Sequence, residues 1–271
     1  MLEQRIGFIG AGHMATALAV GSLQAGLTTA ERLIASDPDQ AARERFAELT
    51  GAAVTSDNAE VAEAADILVL AVKPQKIADV ATELRSRLTA NRLLVSIAAG
   101  VSLASLADSF GRRVRVARAM PSMLCQIRRG SSAYCLGPRA KAADGAVLNE
   151  LLGALGSACE IEEKQFDAVT ALASSGPALV YVMIEALADG GVAAGLPRRL
   201  AAQMAAEAVR GAAEMVLTTG EHPAALRDRV TSPAGTTIAG LRALEAGGVR
   251  AALMAAVDAA ARRSIELGER L

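Results

Sequence analysis

The chain has 271 residues, enough for one large domain or two ordinary ones with a well-buried core. Hydrophobic residues make up 52% and charged residues 21%, a globular balance that excludes a disordered chain. The formal net charge of −1 argues against nucleic acid or an anionic membrane surface as a partner.

The opening Met1-Leu2-Glu3-Gln4-Arg5 carries an acid and no long apolar region, so no signal peptide is expected. The longest helical apolar run, Ala178 to Ile184, meets Glu185 and Asp189 before it could span a bilayer, and no membrane association is expected. Cys125, Cys135 and Cys159 are odd in number and lack the spacing of metal ligands. They read as reduced thiols of a cytoplasmic protein with no bound metal.

In chain order, Arg5 to Ile9 is a short apolar strand that runs into Gly10-Ala11-Gly12-His13-Met14-Ala15 and then an Ala-rich helix to about Ala25. Gly10 suits the tight turn, Gly12 lets backbone approach a pyrophosphate, and Ala15 takes the third place of the dinucleotide fingerprint, where helix and strand pack closely. The turn Gly10, Ala11, Gly12, His13 and Met14 is therefore expected to bind cofactor, with His13 an ordinary residue of the first helical turn. A second strand, Leu33 to Ser36, ends at Asp37, slightly beyond the usual ~20 positions after the glycine motif for the residue that reads the adenosine ribose.

Further strands end at the same carboxyl edge. Asp66 to Val72 is a continuous apolar run of the buried parallel kind and leads into Lys73-Pro74-Gln75. Leu93 to Ile97 leads into Ala98-Ala99-Gly100, and Val114 to Arg118 into Ala119-Met120-Pro121. Ser36, Asp37, Ala71, Val72, Lys73, Pro74, Ala98, Ala99, Gly100, Met120 and Pro121 are accordingly candidate cofactor contacts, because ligands of such sheets bind outside the strands' carboxyl ends. Lys73 fits equally a nicotinamide contact or a solvated loop residue.

After Glu160–Lys164 the strand pattern stops, and long Ala-, Met- and Leu-rich helical patterns follow. Ala201, Ala205, Ala208 and Ala212 form a small-residue face that would suit an internal helix contact or, as we expect, a subunit interface. Thr231 to Leu241 has no charged side chain. Its hydroxyls, Pro233 and Gly235 precede apolar residues at Ile238, Leu241 and Leu244, which reads as the entrance of a helix. Such an entrance is either an ordinary helix start or a carboxylate cradle made of backbone N–H groups.

These features together give an α/β chain: an N-terminal doubly wound Rossmann sheet over 1–162 and an all-α C-terminal dimerisation domain over 163–271. The segments Gly7 to Ala15, Leu70 to Gln75, Arg118 to Pro121, Ser174 to Ala178 and Asp228 to Gly240 resemble the pyrroline-5-carboxylate reductase family in the family's own order. The resemblance implies reduction of L-1-pyrroline-5-carboxylate to L-proline with NADPH or NADH, and a homodimer built by the helical domain, with larger rings in some members. It also implies that Ser232, Gly235, Thr236, Thr237 and Ser175 bind substrate, with Thr237 as the catalytic contact to the ring nitrogen. Three places depart from the family pattern. Ser122-Met123-Leu124 replaces Asn-Thr-Pro, Ala173-Ser174-Ser175 with Leu179 replaces Ser-Gly-Ser and Tyr, and Ala234-Gly235 replaces Gly-Gly. A reductase of a related cyclic imino acid and a non-catalytic nucleotide sensor are the alternatives these departures leave open. A β-hydroxyacid dehydrogenase would need a catalytic Lys in the helical half, and no Lys follows Lys164. At the ribose position, Asp37 favours NADH, since its carboxylate accepts ribose hydroxyls and repels a 2′-phosphate, while Ser36 or Arg43 could offset that repulsion.

Overall fold

Short apolar runs bounded by glycine and polar residues become strands here, and the Ala-rich stretches between them become helices. The computed structural model describes residues 1–269. β1 (Ile6–Ile9), β2 (Leu33–Ser36), β3 (Ala53–Thr55), β4 (Ile67–Leu70), β5 (Leu93–Ser96), β6 (Arg115–Met120), β7 (Gly130–Leu136) and β8 (Gly156–Glu160) form one sheet in the order β3-β2-β1-β4-β5-β6-β7-β8. β1 to β6 are parallel, β7 runs antiparallel to β6, and β8 is parallel to β7. Strand order reverses between β1 and β4, the crevice where dinucleotides bind in such sheets.

Alternate residues of each central strand feed two cores. Ile6, Phe8, Ile67 and Val69 face α1 (His13–Gln24), α2 (Gln40–Thr50) and, further along the sheet, Leu148 and Leu151 of the later helix α6 (Ala142–Gly153). Phe8 and Phe46 pack with tilted rings, 5.8 Å between centroids, on this side. Ile9, Leu68 and Leu70 face the opposite way, toward α3 (Asn58–Ala64), α4 (Ile77–Leu84) and α5 (Leu103–Phe110). Burial on both faces explains why these strands read as unbroken apolar runs rather than as alternations.

A 3-10 turn leads into α7 (Phe166–Val169) and a single π-helical turn, Thr170–Ser174. α8 (Gly176–Ala193), α9 (Arg198–Thr219), α10 (Pro223–Arg229), α11 (Thr236–Ala246) and α12 (Val249–Glu269) complete the chain. By packing, the chain separates into one unit of Met1–Ser174 together with the residues from Ala260 onward, and a second unit of Ser175–Ala259. In this division residues 163–174 and the last turns of α12 pack with the sheet. The reason is local: Phe166 is fully buried in the sheet's second core, and the Ser264 hydroxyl donates to Asp167 Oδ1 at 2.6 Å.

The second unit has a thin core. Ala188, Ala201 and Ala205 are buried between α8 and α9, with Ile184 and Val192 alongside. Ala201 and Ala205 are therefore engaged inside the chain, which corrects the interface expectation for those two; Ala208 and Ala212 remain exposed. Large apolar side chains stay uncovered in this unit, among them Tyr181, Val182, Leu187, Met204, Leu217 and Met254. The stretch Glu163–Ala193 is long and apolar enough to cross a membrane by length and composition alone, despite the Glu185 and Asp189 it contains.

Candidate active site

The carboxyl edge of the sheet is shaped first by Gly10. Its φ of +99° suits glycine, and a methyl there would come within 2.8 Å of the Ala71 carbonyl oxygen. Gly10 N–H donates to Ser36 C=O at 2.7 Å, and Ala71 N–H to Ile9 C=O at 2.8 Å, so the three strand ends are tied together. Gly12 caps α1 without any side-chain hydrogen bond, and a methyl on it would meet nothing within 4 Å. Open space thus lies over the uncapped start of α1, where backbone N–H groups and the helix dipole favour an anion. A dinucleotide pyrophosphate fits this place. Ala15 is fully buried, His13 exposed and Met14 half-buried.

Asp37 stands at the end of β2 with both carboxylate oxygens engaged. Oδ2 accepts from Ala11 N–H at 2.9 Å, and Oδ1 from Asp39 N–H at 2.9 Å. The carboxylate is thereby held against the glycine turn. Ser36 behaves differently from expectation. It is 0% exposed, and its hydroxyl donates to Asn58 Oδ1 at 2.7 Å beneath the edge, so it is not presented to a ribose. Adjacent strand residues point to opposite faces, and the one that reaches the glycine turn is Asp37. Asn58 in turn donates to Glu83 at 2.7 Å.

Ala71 and Val72 are half-buried, Lys73 is exposed, and Pro74 opens a 3-10 turn. Ala98 is buried and Ala99 half-buried. Gly100, at φ +78°, lies against the backbone of Gly268 in α12 rather than opening outward. Met120 and Pro121 are buried. Ser122, at a position where the sequence departs from the family, accepts from Leu124 N–H at 3.3 Å and caps the turn Met123–Ile127.

Sequence reasoning missed Arg118. Only 6% exposed, its guanidinium sits 4.2 Å above the Phe166 ring, and Nη1 pairs with Glu163 Oε1 at 3.0 Å. Glu163 Oε1 also accepts from Leu103 N–H at 2.7 Å, at the start of α5. This group fixes residues 163–166 on the sheet and walls a cavity of ≈ 430 Å³ with Gly100, Asp167 and Ser264. An arginine inside an apolar strand was the available signal. Cys125 and Cys135 are buried, and burial pushes both thiols up, that of Cys135 to about 11. Neither is a nucleophile at neutral pH.

In the second unit, the stretch before α11 folds as a four-residue turn closed by Gly235 N–H to Ser232 C=O at 3.1 Å. Pro233 takes its second place and Ala234, at φ +54°, its third, the type II pattern. Gly235 then caps α11 with no side-chain hydrogen bond, and a methyl on it would collide with the Ser232 hydroxyl. The turn thus brings Ser232, Gly235, Thr236 and Thr237 together at an uncapped helix start. Among the described residues the Thr237 hydroxyl has no hydrogen-bond partner. Ser175 stands at the start of α8, and among the described residues no hydrogen bond joins it to this group. His222 is occupied as the cap of α10, its Nδ1 accepting from Ala224 N–H at 3.2 Å. Among the described residues Ser232–Thr237 thus include no acid or base.

Residues 163–267 match the family description "Pyrroline-5-carboxylate reductase dimerisation", and residues 5–100 match "NADP oxidoreductase coenzyme F420-dependent". The chain is 46% identical to the pyrroline-5-carboxylate reductase of Arabidopsis thaliana, over 98% of this chain and 96% of that one. It belongs to the pyrroline-5-carboxylate reductase family. The Methanosarcina acetivorans member is 44% identical over the full length of both chains. Among solved structures, the pyrroline carboxylate reductase of Plasmodium falciparum, determined with NADP bound, superposes with a TM-score of 0.90 at 33% identity, covering 99% of each chain. The Coxiella burnetii pyrroline-5-carboxylate reductase gives 0.90 at 32% identity, covering 98% of this chain and 99% of that one. Membership removes the β-hydroxyacid dehydrogenase reading, and with it the need for a catalytic lysine.

Proposed function

We propose that this pyrroline-5-carboxylate reductase reduces L-1-pyrroline-5-carboxylate to L-proline with NADH or NADPH, and that the start of α11 holds the substrate. The observation that carries the assignment of the site is the uncapped α11 terminus flanked by the Ser232 and Thr237 hydroxyls, in a chain similar to these reductases from end to end. The nicotinamide, when bound, supplies a hydride to the imine carbon. The Thr236 and Thr237 N–H groups and the Ser232 hydroxyl hold the carboxylate in place of an arginine. The Thr237 oxygen accepts the N–H of the protonated imine, which fixes the ring and favours the charged form that accepts hydride. A substrate that arrives protonated needs no acid from the protein, and the histidine of this unit, His222, is taken up in capping α10.

Gly10, Ala11, Gly12, His13 and Met14 supply the pyrophosphate turn in this reading, and Asp37 the ribose contact. The uncovered apolar side chains of residues 163–267 are assigned to a second copy of the chain, giving a homodimer that larger rings can extend. The three free thiols suit the cytoplasm.

The test is oxidation of NADH and of NADPH by the purified protein with pyrroline-5-carboxylate, and with its six-membered-ring analogue. Turnover of the five-membered imine well above the six-membered one is expected. No oxidation beyond the imine-free control refutes the activity, and a preference for the larger ring reassigns the substrate.

A further inference from the structure

The loop that leaves β5 carries Ala98, Ala99 and Gly100 past the carboxyl edge of the sheet. At its start Ile97 N–H donates to Leu70 C=O at 3.1 Å, and Ala98 N–H to the Ser96 hydroxyl oxygen at 3.3 Å. Further on, the loop is held from outside. Gly100 rests on the backbone of Gly268, and Leu103 N–H, at the start of α5, donates to Glu163 Oε1 at 2.7 Å. One turn before Gly268, the Ser264 hydroxyl donates to Asp167, which stands one turn after Glu163. The loop, residues 163–167 and the end of α12 thus close a ring around the ≈ 430 Å³ cavity, all within the unit of the sheet.

Arg118 anchors this ring. It lies opposite Ser96, the last residue of β5, and its Nη1 holds the same Glu163 oxygen that receives Leu103 N–H. As a stabilising device it is a poor choice. Its Nε is buried without a hydrogen-bond partner among the described residues, and the side chain is 7% exposed. A charge buried with an unsatisfied donor costs free energy that an apolar side chain over Phe166 would not. What Arg118 supplies, and a methionine could not, is a fixed place for Glu163 and through it for the start of α5.

We propose that Arg118 and Glu163 are positioning residues for the cofactor, holding the loop after β5 in the shape that meets the dinucleotide. This rests on the reading of the sheet edge as a dinucleotide site. Neither residue touches the cofactor: Arg118 acts through Glu163, and Glu163 through Leu103 N–H. A loop ordered in advance need not be ordered by the ligand, so the pair acts on cofactor affinity and not on the hydride step.

The experiment measures three quantities on the full-length protein: Kd for NADH from its fluorescence, kcat at saturating NADH, and the melting midpoint without ligand. The variants are Arg118→Met, Arg118→Lys, and Arg118→Met combined with Glu163→Ala, which removes both charges together. Arg118→Met is expected to weaken NADH about fivefold, with kcat within about twofold of the parent and a midpoint at or above it. The double variant, which also loses the bond to Leu103, should weaken NADH about tenfold or more. Arg118→Lys keeps the charge and should recover part of the loss. It also carries the test if the Met variant does not fold, with NADH weakened about threefold at unchanged kcat. NADH affinity within twofold of the parent in every variant overturns the proposal. So does a midpoint that falls along with affinity, which marks a merely structural role, or a kcat that falls as far as affinity does. A parent that binds no NADH removes the dinucleotide reading of this edge and the proposal with it.

Discussion

Replacing Ala234 by Gly tests whether the turn before α11 carries backbone strain. Ala234 holds φ +54° in the third place of a turn where glycine is the usual choice. A residue with a Cβ in this conformation costs roughly 1–2 kcal/mol. Glycine removes that cost but adds freedom to the unfolded chain worth about 0.5–1 kcal/mol. The net gain is about 0.5–1 kcal/mol. In a chain of this size that raises Tm by about 1–3 °C, measured by scanning calorimetry at one fixed concentration, since association also moves the midpoint. Ala234→Val makes the control, because a β-branched side chain tolerates positive φ least and should melt below the parent. The expected order of midpoints is Gly, then Ala, then Val. A Gly variant that melts at or below the parent shows that the turn is not strained and that the argument from φ is wrong.

Thr237→Val should fold like the parent and lower kcat/KM by roughly tenfold to a hundredfold, the loss of one hydrogen bond of about 1.5–3 kcal/mol to a charged group; steady-state rates within twofold of the parent would remove Thr237 from the reaction. Asp37→Ser should move the ratio of kcat/KM toward NADPH by about five- to thirtyfold, since a phosphate about 4 Å from a carboxylate in a wet site is repelled by ~1–2 kcal/mol; an unchanged ratio would show that Asp37 does not read the ribose. The parent itself is expected to use NADH at least as well as NADPH. Val182→Asp places a charge on a residue 64% exposed in the single chain; it should break the dimer in sedimentation experiments, and an unaltered dimer would move the interface off that face of α8.

The central strands were legible because β1, β4 and β5 are buried on both faces, so their residues are apolar without interruption. β3, β7 and β8 were not. β3 is three residues long, β7 carries Ser131 and Ser132, and β8 is an edge strand with Ser157 and Glu160 in the open. The glycine turn and the turn entering α11 could be placed from spacing, since each depends on residues adjacent in the chain. Ser36 could not, because which of two neighbours faces the site depends on strand register. The alanine face of α9 was ambiguous for a related reason. A small side chain serves an internal neighbour and a second subunit equally well, and only the fold assigns Ala201 and Ala205 to α8. Arg118 depends on Glu163 and Phe166, far along the chain, and its place is fixed by topology alone.

The contact of Gly100 with Gly268 bears on how the protein is made. A methyl on Gly100 would lie 2.9 Å from the Gly268 nitrogen, and one on Gly268 would lie 2.6 Å from the Gly100 carbonyl oxygen. The loop leaving β5 is thus sealed, backbone against backbone, by almost the last turn of the described chain. During synthesis, where domains ordinarily fold as they emerge, the sheet can pair its strands early. It cannot close around the β5 exit until the ribosome has released α12. Nascent chains halted before Gly268 therefore leave the loop after β5 uncovered while the helical half is translated.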